Sequence, residues 1–166
     1  ADGIDPASRL LADQLPLRLG ARVADLGAVW GYLSTRILAR EEVQEVHLVE
    51  AEHAALSCAK ANIDDSRASF HWAAAVSWTA ETALDCVVMN PPFHMGRKAE
   101  PQIGQSFIRS AARVLHHKGQ LFLVANRHLP YEECLEQSFA EVTDFGGDTR
   151  FKLLRAARPK SGARAR

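Results

Sequence analysis

The sequence predicts a doubly wound α/β fold, with about seven mostly parallel strands, helices on both faces and a C-terminal antiparallel hairpin. Three observations support this class. Short apolar runs alternate with amphipathic segments of helical spacing, as in right-handed βαβ crossovers. The run 84–89 (LDCVVM) is apolar enough to be buried on both faces. Residues 142–156 have the pattern of two strands joined by a turn at Gly146 and Gly147.

The individual elements follow from caps, turns and periodicity. Asp5 and Pro6 predict a helix start, with the aspartate as N-cap, and Pro16 marks the end of that helix. Further helices are expected at 32–40, 53–63, 103–115 and 131–139. Strands are expected at 22–26, 46–50, 68–72, 84–89, 120–125, 142–145 and 150–156. Such sheets bind ligands beyond the carboxyl ends of their strands, so the residues following the first, second, fourth and fifth strands are candidates for chemistry.

Length and composition indicate a single domain. The 166 residues, 47% of them hydrophobic, can bury a core, and we expect a domain at 1–158 and a disordered basic tail at 159–166. Three separated cysteines without CxxC spacing favour a reducing, cytoplasmic setting and no metal site. No apolar stretch approaches the roughly 18 residues of a membrane span. The chain begins without an initiator methionine, which suggests a domain cut from a longer protein.

Charge is unevenly distributed along a chain whose net charge is zero. Acidic residues are in excess over 1–100, and basic residues are in excess over 101–166. A basic C-terminal part can present a positive face to a polyanion, although ordinary solvated surface charge explains the pattern equally well.

A turn rich in glycine, residues 27–31, follows the first strand and is called the glycine turn below. Gly27 and Gly31 allow a sharp turn and a close ligand approach, and the next helix offers its N-terminus. A nicotinamide dinucleotide site needs glycine at positions 29 and 32, where this chain has valine and tyrosine. The sequence also lacks the Gly-Lys-Ser/Thr of a P-loop. The turn therefore predicts a different small-molecule site.

The D-x-G-x-x-x-G spacing resembles motif I of the S-adenosyl-L-methionine-dependent methyltransferases with a Rossmann-like fold. The resemblance implies a cofactor site made of Asp25, Gly27, Ala28, Gly31 and Glu50. Glu50 ends the second strand, where a carboxylate can accept hydrogen bonds from two ribose hydroxyls. The chain departs from the family at two points: Val29 stands where glycine is common, and residues 71–75 supply no acid after the third strand.

The tetrapeptide Asn90-Pro91-Pro92-Phe93, called the acceptor segment below, follows the fourth strand. Its prolines fix φ and lack N–H donors, so the Asn90 side-chain oxygen and the Pro91 carbonyl can accept hydrogen bonds from one NH2 group. Phe93 can stack on a planar ring. The segment resembles the N/D-P-P-Y/F motif of methyltransferases that modify adenine N6, guanine N2 or glutamine nitrogen. The resemblance implies that all four residues are catalytic and that Asn90 also borders the cofactor.

Longer stretches are similar to the C-terminal catalytic domain of bacterial ribosomal RNA guanine-N2 methyltransferases of the RsmC type. They are DGIDPASRLLADQLP, VADLGAVWGYLS, NPPFHMGRKAEPQIGQSFIRSAARVL, LFLVANRHLPYE and RFKLLRA. The resemblance implies a guanine N2 acceptor in ribosomal RNA, a segment 5–8 packed over the cofactor, and a missing N-terminal methyltransferase-like domain. Arg97, Lys98 and Arg127 are candidates for phosphate contacts or are simply exposed basic residues.

Two alternatives stay open at this point. The acceptor segment alone does not distinguish guanine N2 from adenine N6 or a protein glutamine. A degenerate domain could also keep the fold and bind RNA without using the cofactor. Val29 and the missing acid favour that degenerate form, whereas the intact acceptor segment and Glu50 favour an enzyme. The leading hypothesis is a ribosomal RNA guanine-N2 methyltransferase that needs no metal and no membrane.

Overall fold

The computed structural model describes residues 3–95 and 98–160, and its helices and strands alternate through most of the chain. The helices are α1 (Pro6–Gln14), α2 (Tyr32–Leu38), α3 (His53–Asn62), α4 (Pro101–Val114) and α5 (Glu132–Ser138). The strands are β1 (Arg22–Leu26), β2 (Glu45–Glu50), β3 (Ala68–Trp72), β4 (Leu84–Met89), β5 (His94–Met95), β6 (Lys98–Ala99), β7 (Leu115–Asn126), β8 (Phe139–Gly147) and β9 (Phe151–Pro159).

Seven strands of the described residues form one mixed sheet in the order β3-β2-β1-β4-β7-β9-β8. Neighbours from β3 to β7 are parallel, whereas β9 runs antiparallel to both β7 and β8. The strand order reverses between β1 and β4, and doubly wound sheets bind ligands in the crevice at that point. The predicted fold class is confirmed. The glycine turn and the acceptor segment follow β1 and β4, the two strands at which the order reverses.

Helices cover both faces of the sheet, and β1 shows how its residues serve them alternately. Val23 belongs to a core cluster with Leu11 of α1 and Ile37 of α2. The next residue, Ala24, belongs to a second cluster with Ile108 of α4 and Leu135 of α5. Because successive side chains of a strand point to opposite faces, this alternation places two helical layers against one sheet. The carboxyl edge of the parallel strands stays open for a ligand.

Several boundaries differ from those expected. β7 begins at Leu115 rather than 120, because Leu115 pairs with Leu84 across a register shift that no local pattern reveals. β9 continues to Pro159, which the sequence placed in the tail. Pro159 pairs with Phe139 of β8 and lies beyond Ala157, the last residue of β9 that pairs with β7, so its missing N–H does not interrupt that ladder. Residues 161–166 of the expected tail lie outside the described residues. The hairpin of β5 and β6 is new, since two-residue strands carry no periodicity.

Helices α4 and α5 meet where Gly104 lies against Tyr131. A methyl group added at Gly104 would collide with the Tyr131 hydroxyl. Tyr131 is fully buried, and its hydroxyl has no hydrogen-bond partner among the described residues. Burial raises the pKa of Tyr131 to about 12. Gly104 is therefore required by a neighbouring ring rather than by its own backbone conformation.

Gly104→Ala should lower the free energy of unfolding by about 1–3 kcal/mol, because the added methyl overpacks this contact. In an exposed helix the same change raises helix stability by roughly 1 kcal/mol. The sign of the change in the free energy of unfolding therefore tests the contact between Gly104 and Tyr131. Tyr131→Phe should be neutral or stabilising, since the hydroxyl is unpartnered. Urea denaturation of both single variants and the double variant measures this. The ring carbons of residue 131 also lie against the added methyl group, so Gly104→Ala should still destabilise the Tyr131→Phe background, although by less. A Gly104→Ala variant at least as stable as wild type would contradict the assignment.

Candidate active site

The glycine turn is hydrogen-bonded to the carboxyl end of β2. The backbone N–H groups of Gly27 and Ala28 donate to the Val49 carbonyl at 2.8 and 3.1 Å. The next N–H, of Val29, donates to the Glu50 carboxylate at 2.7 Å. With these three donors bound to one strand end, the turn is held in a single conformation. Gly27 adopts φ +75° there, in the left-handed region that glycine favours.

Glu50 is held by the backbone and keeps hydrogen-bonding capacity. One carboxylate oxygen accepts from Val29 N, and the other accepts from Glu52 N at 2.9 Å. A carboxylate has about four lone-pair sites, so roughly two are left for a ligand. The side chain is only 9% exposed, which fixes its direction.

Asn90 is held from the opposite side by the start of α1. Its amide nitrogen donates to Asp5 Oδ2 at 2.8 Å and to Ser8 Oγ at 2.9 Å. The same oxygen of Asp5 accepts from Ser8 N at 3.1 Å, which caps α1 as the sequence predicted. Segment 5–8 therefore contacts the acceptor segment directly.

A cavity of about 850 Å³ connects the glycine turn with the acceptor segment. Its walls include these expected site residues: Gly27, Glu50, Asn90, Pro91, Pro92 and Phe93. An adjoining cavity of about 170 Å³ shares Asp5, Gly27, Val29 and Asn90 with the first. Ala28 and Trp30 line this smaller cavity. The two halves of the site, on β1–β2 and on β4, thus face one shared cleft.

Asp25 and Gly31, both expected to hold a cofactor, do not line either cavity. Asp25 is fully buried behind the turn, where Ser34 Oγ donates to its Oδ2 at 2.8 Å. Gly31 faces α3, and a Cβ there would approach Ile63 Cδ1 to 2.8 Å. The spacing of a glycine motif does not show which side of the turn each glycine faces. These two residues shape the turn from behind.

The buried Asp25 carboxyl carries an unusual protonation. Burial raises its pKa from 3.8 to about 7, against the opposing effect of the hydrogen bond from Ser34. Its Oδ1 is buried and has no hydrogen-bond partner among the described residues. Such an atom can take one further donor, or can keep a proton of its own near neutral pH.

The β3 end of the large cavity is apolar. Residues 74–76, two alanines and a valine, form its wall, and no acid follows β3, as the sequence indicated. Asp85 lies at the amino end of β4, where it accepts from the N–H groups of Ala21 and Arg22 at 2.8 and 2.9 Å. A flat apolar group fits the β3 end better than a charged one.

The other end of the cavity contains residues that sequence reasoning mostly missed. Asn126 follows the expected fifth strand at 120–125, and in the structure it ends β7 and lines the cavity together with Arg150 and Phe151. The Arg150 guanidinium lies 4.7 Å from the centre of the Phe151 ring. Pairing of β9 with β7 brings these residues to the site, and no local sequence motif predicts that pairing.

Two further rings border the cavity. The His94 ring centre lies 4.2 Å from that of Phe93, and the two ring planes are tilted by 39°, so the acceptor segment continues into a pair of contacting rings. From α4, Phe107 lies beneath the glycine turn, with its Cε2 3.1 Å from where a Gly27 Cβ would stand. Phe107 lies within the expected helix at 103–115, but helical spacing does not show what its side chain contacts.

The three candidate phosphate contacts have different surroundings. Arg127 is tied to the β8–β9 turn, because its Nε donates to the Asp148 carbonyl. Lys98 is exposed on β6, and Arg97 lies outside the described residues. In the part of the chain that the structure describes, no helix is long and apolar enough to cross a membrane. Nor do three or more His, Cys, Asp or Glu side chains of these residues cluster around a potential metal position.

The stability of the protein should fall relative to that of Asp25→Asn as pH rises from about 4 to about 7. In this window an unfolded Asp25 has lost its proton, whereas the folded carboxyl keeps it up to about pH 7, so ionisation favours unfolding. The difference should reach roughly 4 kcal/mol and level off above pH 7. Urea denaturation of both proteins between pH 4.5 and 8 measures it. A constant difference across this range would show that Asp25 titrates normally.

Comparisons with known proteins agree with this geometry. The chain is 31% identical over 159 residues to the ribosomal RNA large subunit methyltransferase G of Aeromonas salmonicida, covering 92% of this chain and 42% of that protein. It is 31% identical over 159 residues to the ribosomal RNA small subunit methyltransferase C of Hahella chejuensis, covering 95% and 46%. The chain therefore spans less than half the length of these relatives.

A solved structure gives the same result for the fold. The 16S rRNA N2 methyltransferase RsmC of T. thermophilus, in complex with AdoMet and guanosine, superposes with a TM-score of 0.79 at 32% identity. The match covers 95% of this chain and 44% of that one. The N-methyltransferase NodS of Bradyrhizobium japonicum, at 15% identity and a TM-score of 0.72, shares the fold alone.

The family model of the methyltransferase small domain matches residues 1–155, which include every residue that lines the two cavities. The resemblance expected from the glycine turn and the acceptor segment is thereby confirmed. This chain belongs to the methyltransferase small domain family.

Proposed function

We propose that this domain transfers a methyl group from S-adenosyl-L-methionine to guanine N2 in ribosomal RNA. The observation that carries the proposal is the single cavity that joins Glu50 to the acceptor segment. A donor and an acceptor of the methyl group can meet only if both sites open into the same space. Here they do so across the switch point of the sheet.

The residues at the β2 end fit the cofactor. Glu50 has lone pairs left for two ribose hydroxyls, and Gly27 lets a ligand approach the backbone without meeting a Cβ. The alanines and valine of 74–76 suit an adenine ring. When bound, S-adenosyl-L-methionine supplies a sulfonium methyl group. Of the cofactor contacts that the family resemblance implies, we propose those of Glu50, Gly27 and Ala28 with S-adenosyl-L-methionine.

The acceptor segment suits a primary amine on a planar ring. Asn90 Oδ1 and the Pro91 carbonyl can each accept one N–H of such an amine, while Phe93 stacks on the ring. Two accepted hydrogen bonds pull electron density back onto the nitrogen, which makes it a better nucleophile. The residues act mainly by positioning, which in oriented reactions can contribute up to roughly 7–11 kcal/mol. A strong base is not needed before transfer, since the nitrogen becomes acidic only once methylated.

The relatives support guanine in ribosomal RNA as the acceptor. Their names specify ribosomal RNA of either subunit, and the T. thermophilus relative is in complex with guanosine. A guanine in structured RNA must leave its stack at a cost of a few kcal/mol, and stacking on Phe93 at about 1–3 kcal/mol offsets part of it. Arg150, at the far end of the cavity, adds positive charge on the side where RNA enters. A ribosomal RNA substrate also agrees with the cytoplasmic setting expected from the cysteines.

Calorimetric titration with S-adenosyl-L-methionine should show binding, and labelled methyl groups should appear as N2-methylguanine in unmodified ribosomal RNA. Asn90→Ala should abolish transfer, because it removes the acceptor of the amine proton, while cofactor affinity changes by about threefold or less. Gln137→Ala removes an exposed amide on α5 and serves as the matched control. If titration to millimolar S-adenosyl-L-methionine releases no heat of binding, the proposed enzymatic activity is refuted. N6-methyladenine as the product would refute the guanine assignment.

Val29→Gly should raise the free energy of unfolding by about 1 kcal/mol and tighten cofactor binding. Val29 has φ +53°, a conformation that costs a branched residue about 1–2 kcal/mol, and its side chain lines both cavities. Urea denaturation and calorimetry measure the two effects. Val76→Gly is the matched control, because Val76 is also an exposed cavity valine but does not have positive φ. It should destabilise the protein. A Val29→Gly variant that is less stable than wild type would show that no strain is present.

A further inference from the structure

We propose that Asp5 is a positioning residue that fixes which way the Asn90 carboxamide points. The inference rests on the proposed function, because it concerns how the acceptor segment presents an oxygen to the substrate amine. Asp5 lies 85 residues from Asn90 in sequence and meets it through a hydrogen bond of 2.8 Å. The motif that identifies Asn90 says nothing about such a partner.

The chemistry of the contact decides the orientation. The oxygen and nitrogen of a carboxamide are nearly equal in size, so shape alone does not distinguish the two rotated forms. A carboxylate has no hydrogen to donate, so only the NH2 group of Asn90 can face Asp5 favourably. Ser8 Oγ, at 2.9 Å from the same nitrogen, accepts the second proton. Both amide protons are thereby used.

The consequence for the substrate follows directly. With its nitrogen held by Asp5 and Ser8, Asn90 is left with Oδ1 as the free group, and no described residue donates to that oxygen. Asn90 lines the large cavity, so an acceptor faces the methyl-receiving amine. In the rotated form an NH2 group would oppose the NH2 of the substrate, and both would lack a partner. Ser8 alone does not prevent this rotation, because a hydroxyl both donates and accepts.

Asp5 also caps α1, and the two roles can be separated by substitution. Its Oδ2 accepts from Ser8 N at 3.1 Å. Serine caps helices about as well as aspartate, but its side chain is shorter and ends before Asn90. Asp5→Ser therefore keeps the cap and removes the contact with Asn90. Asp5→Asn keeps both the cap and an oxygen that can face Asn90, and it serves as the matched control.

In the methyl-transfer assay, Asp5→Ser should lower kcat by about 10- to 100-fold, the range expected when a reacting group loses its alignment. The affinity for S-adenosyl-L-methionine and the midpoint of thermal unfolding should stay close to those of wild type. Asp5→Asn should lose less activity than Asp5→Ser. A variant that loses cofactor affinity but transfers normally at saturating cofactor would make Asp5 a cofactor ligand and overturn the inference.

The Asn90→Asp background separates orientation from a general structural effect. A carboxylate at position 90 presents an oxygen to the amine whichever way it turns, so it needs no orienting partner. In this background Asp5→Ser should raise kcat, because it removes a second carboxylate beside the first. A structural role for Asp5 predicts the opposite, namely the same loss of activity in both backgrounds. That result would overturn the inference.

A measurement without turnover keeps this inference separate from the proposed function. In nitrogen-15 NMR spectra, the Asn90 side-chain NH2 signals, assigned by their loss in Asn90→Ala, should exchange slowly with water in wild type. Exchange should be several-fold faster in Asp5→Ser. If wild type methylates no RNA, the proposed function fails, and these signals alone decide the orientation. Equal exchange in both proteins would refute the role of Asp5.

Discussion

Hydrogen bonding of the glycine turn to the end of β2 is the constraint on which the site depends. Three consecutive N–H groups, of Gly27, Ala28 and Val29, donate to the carbonyl of Val49 and the carboxylate of Glu50. These bonds orient the side chain of Glu50 and hold Val29 in a left-handed conformation that glycine would adopt more easily. They also set Gly27 against the Phe107 ring, so backbone hydrogen bonds and this ring together form the floor of the cavity.

The opposite wall depends on a polar contact of a different kind. Asp5 and Ser8 of α1 take the two amide protons of Asn90, so the start of a helix on one face of the sheet is joined to the end of β4. Each half of the site thus has a carboxylate that accepts hydrogen bonds from the chain. This carboxylate is Glu50 in one half and Asp5 in the other. In both halves the carboxylate organises groups of the chain itself and leaves acceptors for ligands.

A buried lysine stabilises the region where substrate is expected to enter. Lys152 is 5% exposed and donates to the Leu129 carbonyl at 2.6 Å and to Glu132 at 2.8 Å. It therefore joins β9 to the segment between β7 and α5, from which Leu129 reaches the cavity wall. Such a buried charge is tolerated because it is both paired and hydrogen-bonded. Its neighbour Phe151, with Arg150, completes this end of the cavity.

Local sequence patterns alone predict the five helices and the seven strands of the main sheet, the glycine turn, the acid at the end of β2 and the acceptor segment. These depend on periodicity, capping and turn chemistry, which act over a few residues. Gly31 and Asp25 lie behind the turn, Arg150 reaches the cavity and Asp5 contacts Asn90 because of tertiary packing, which no local pattern specifies. Each of these depends on what lies opposite a side chain in space, and strand pairing and helix packing bring those partners from distant parts of the chain.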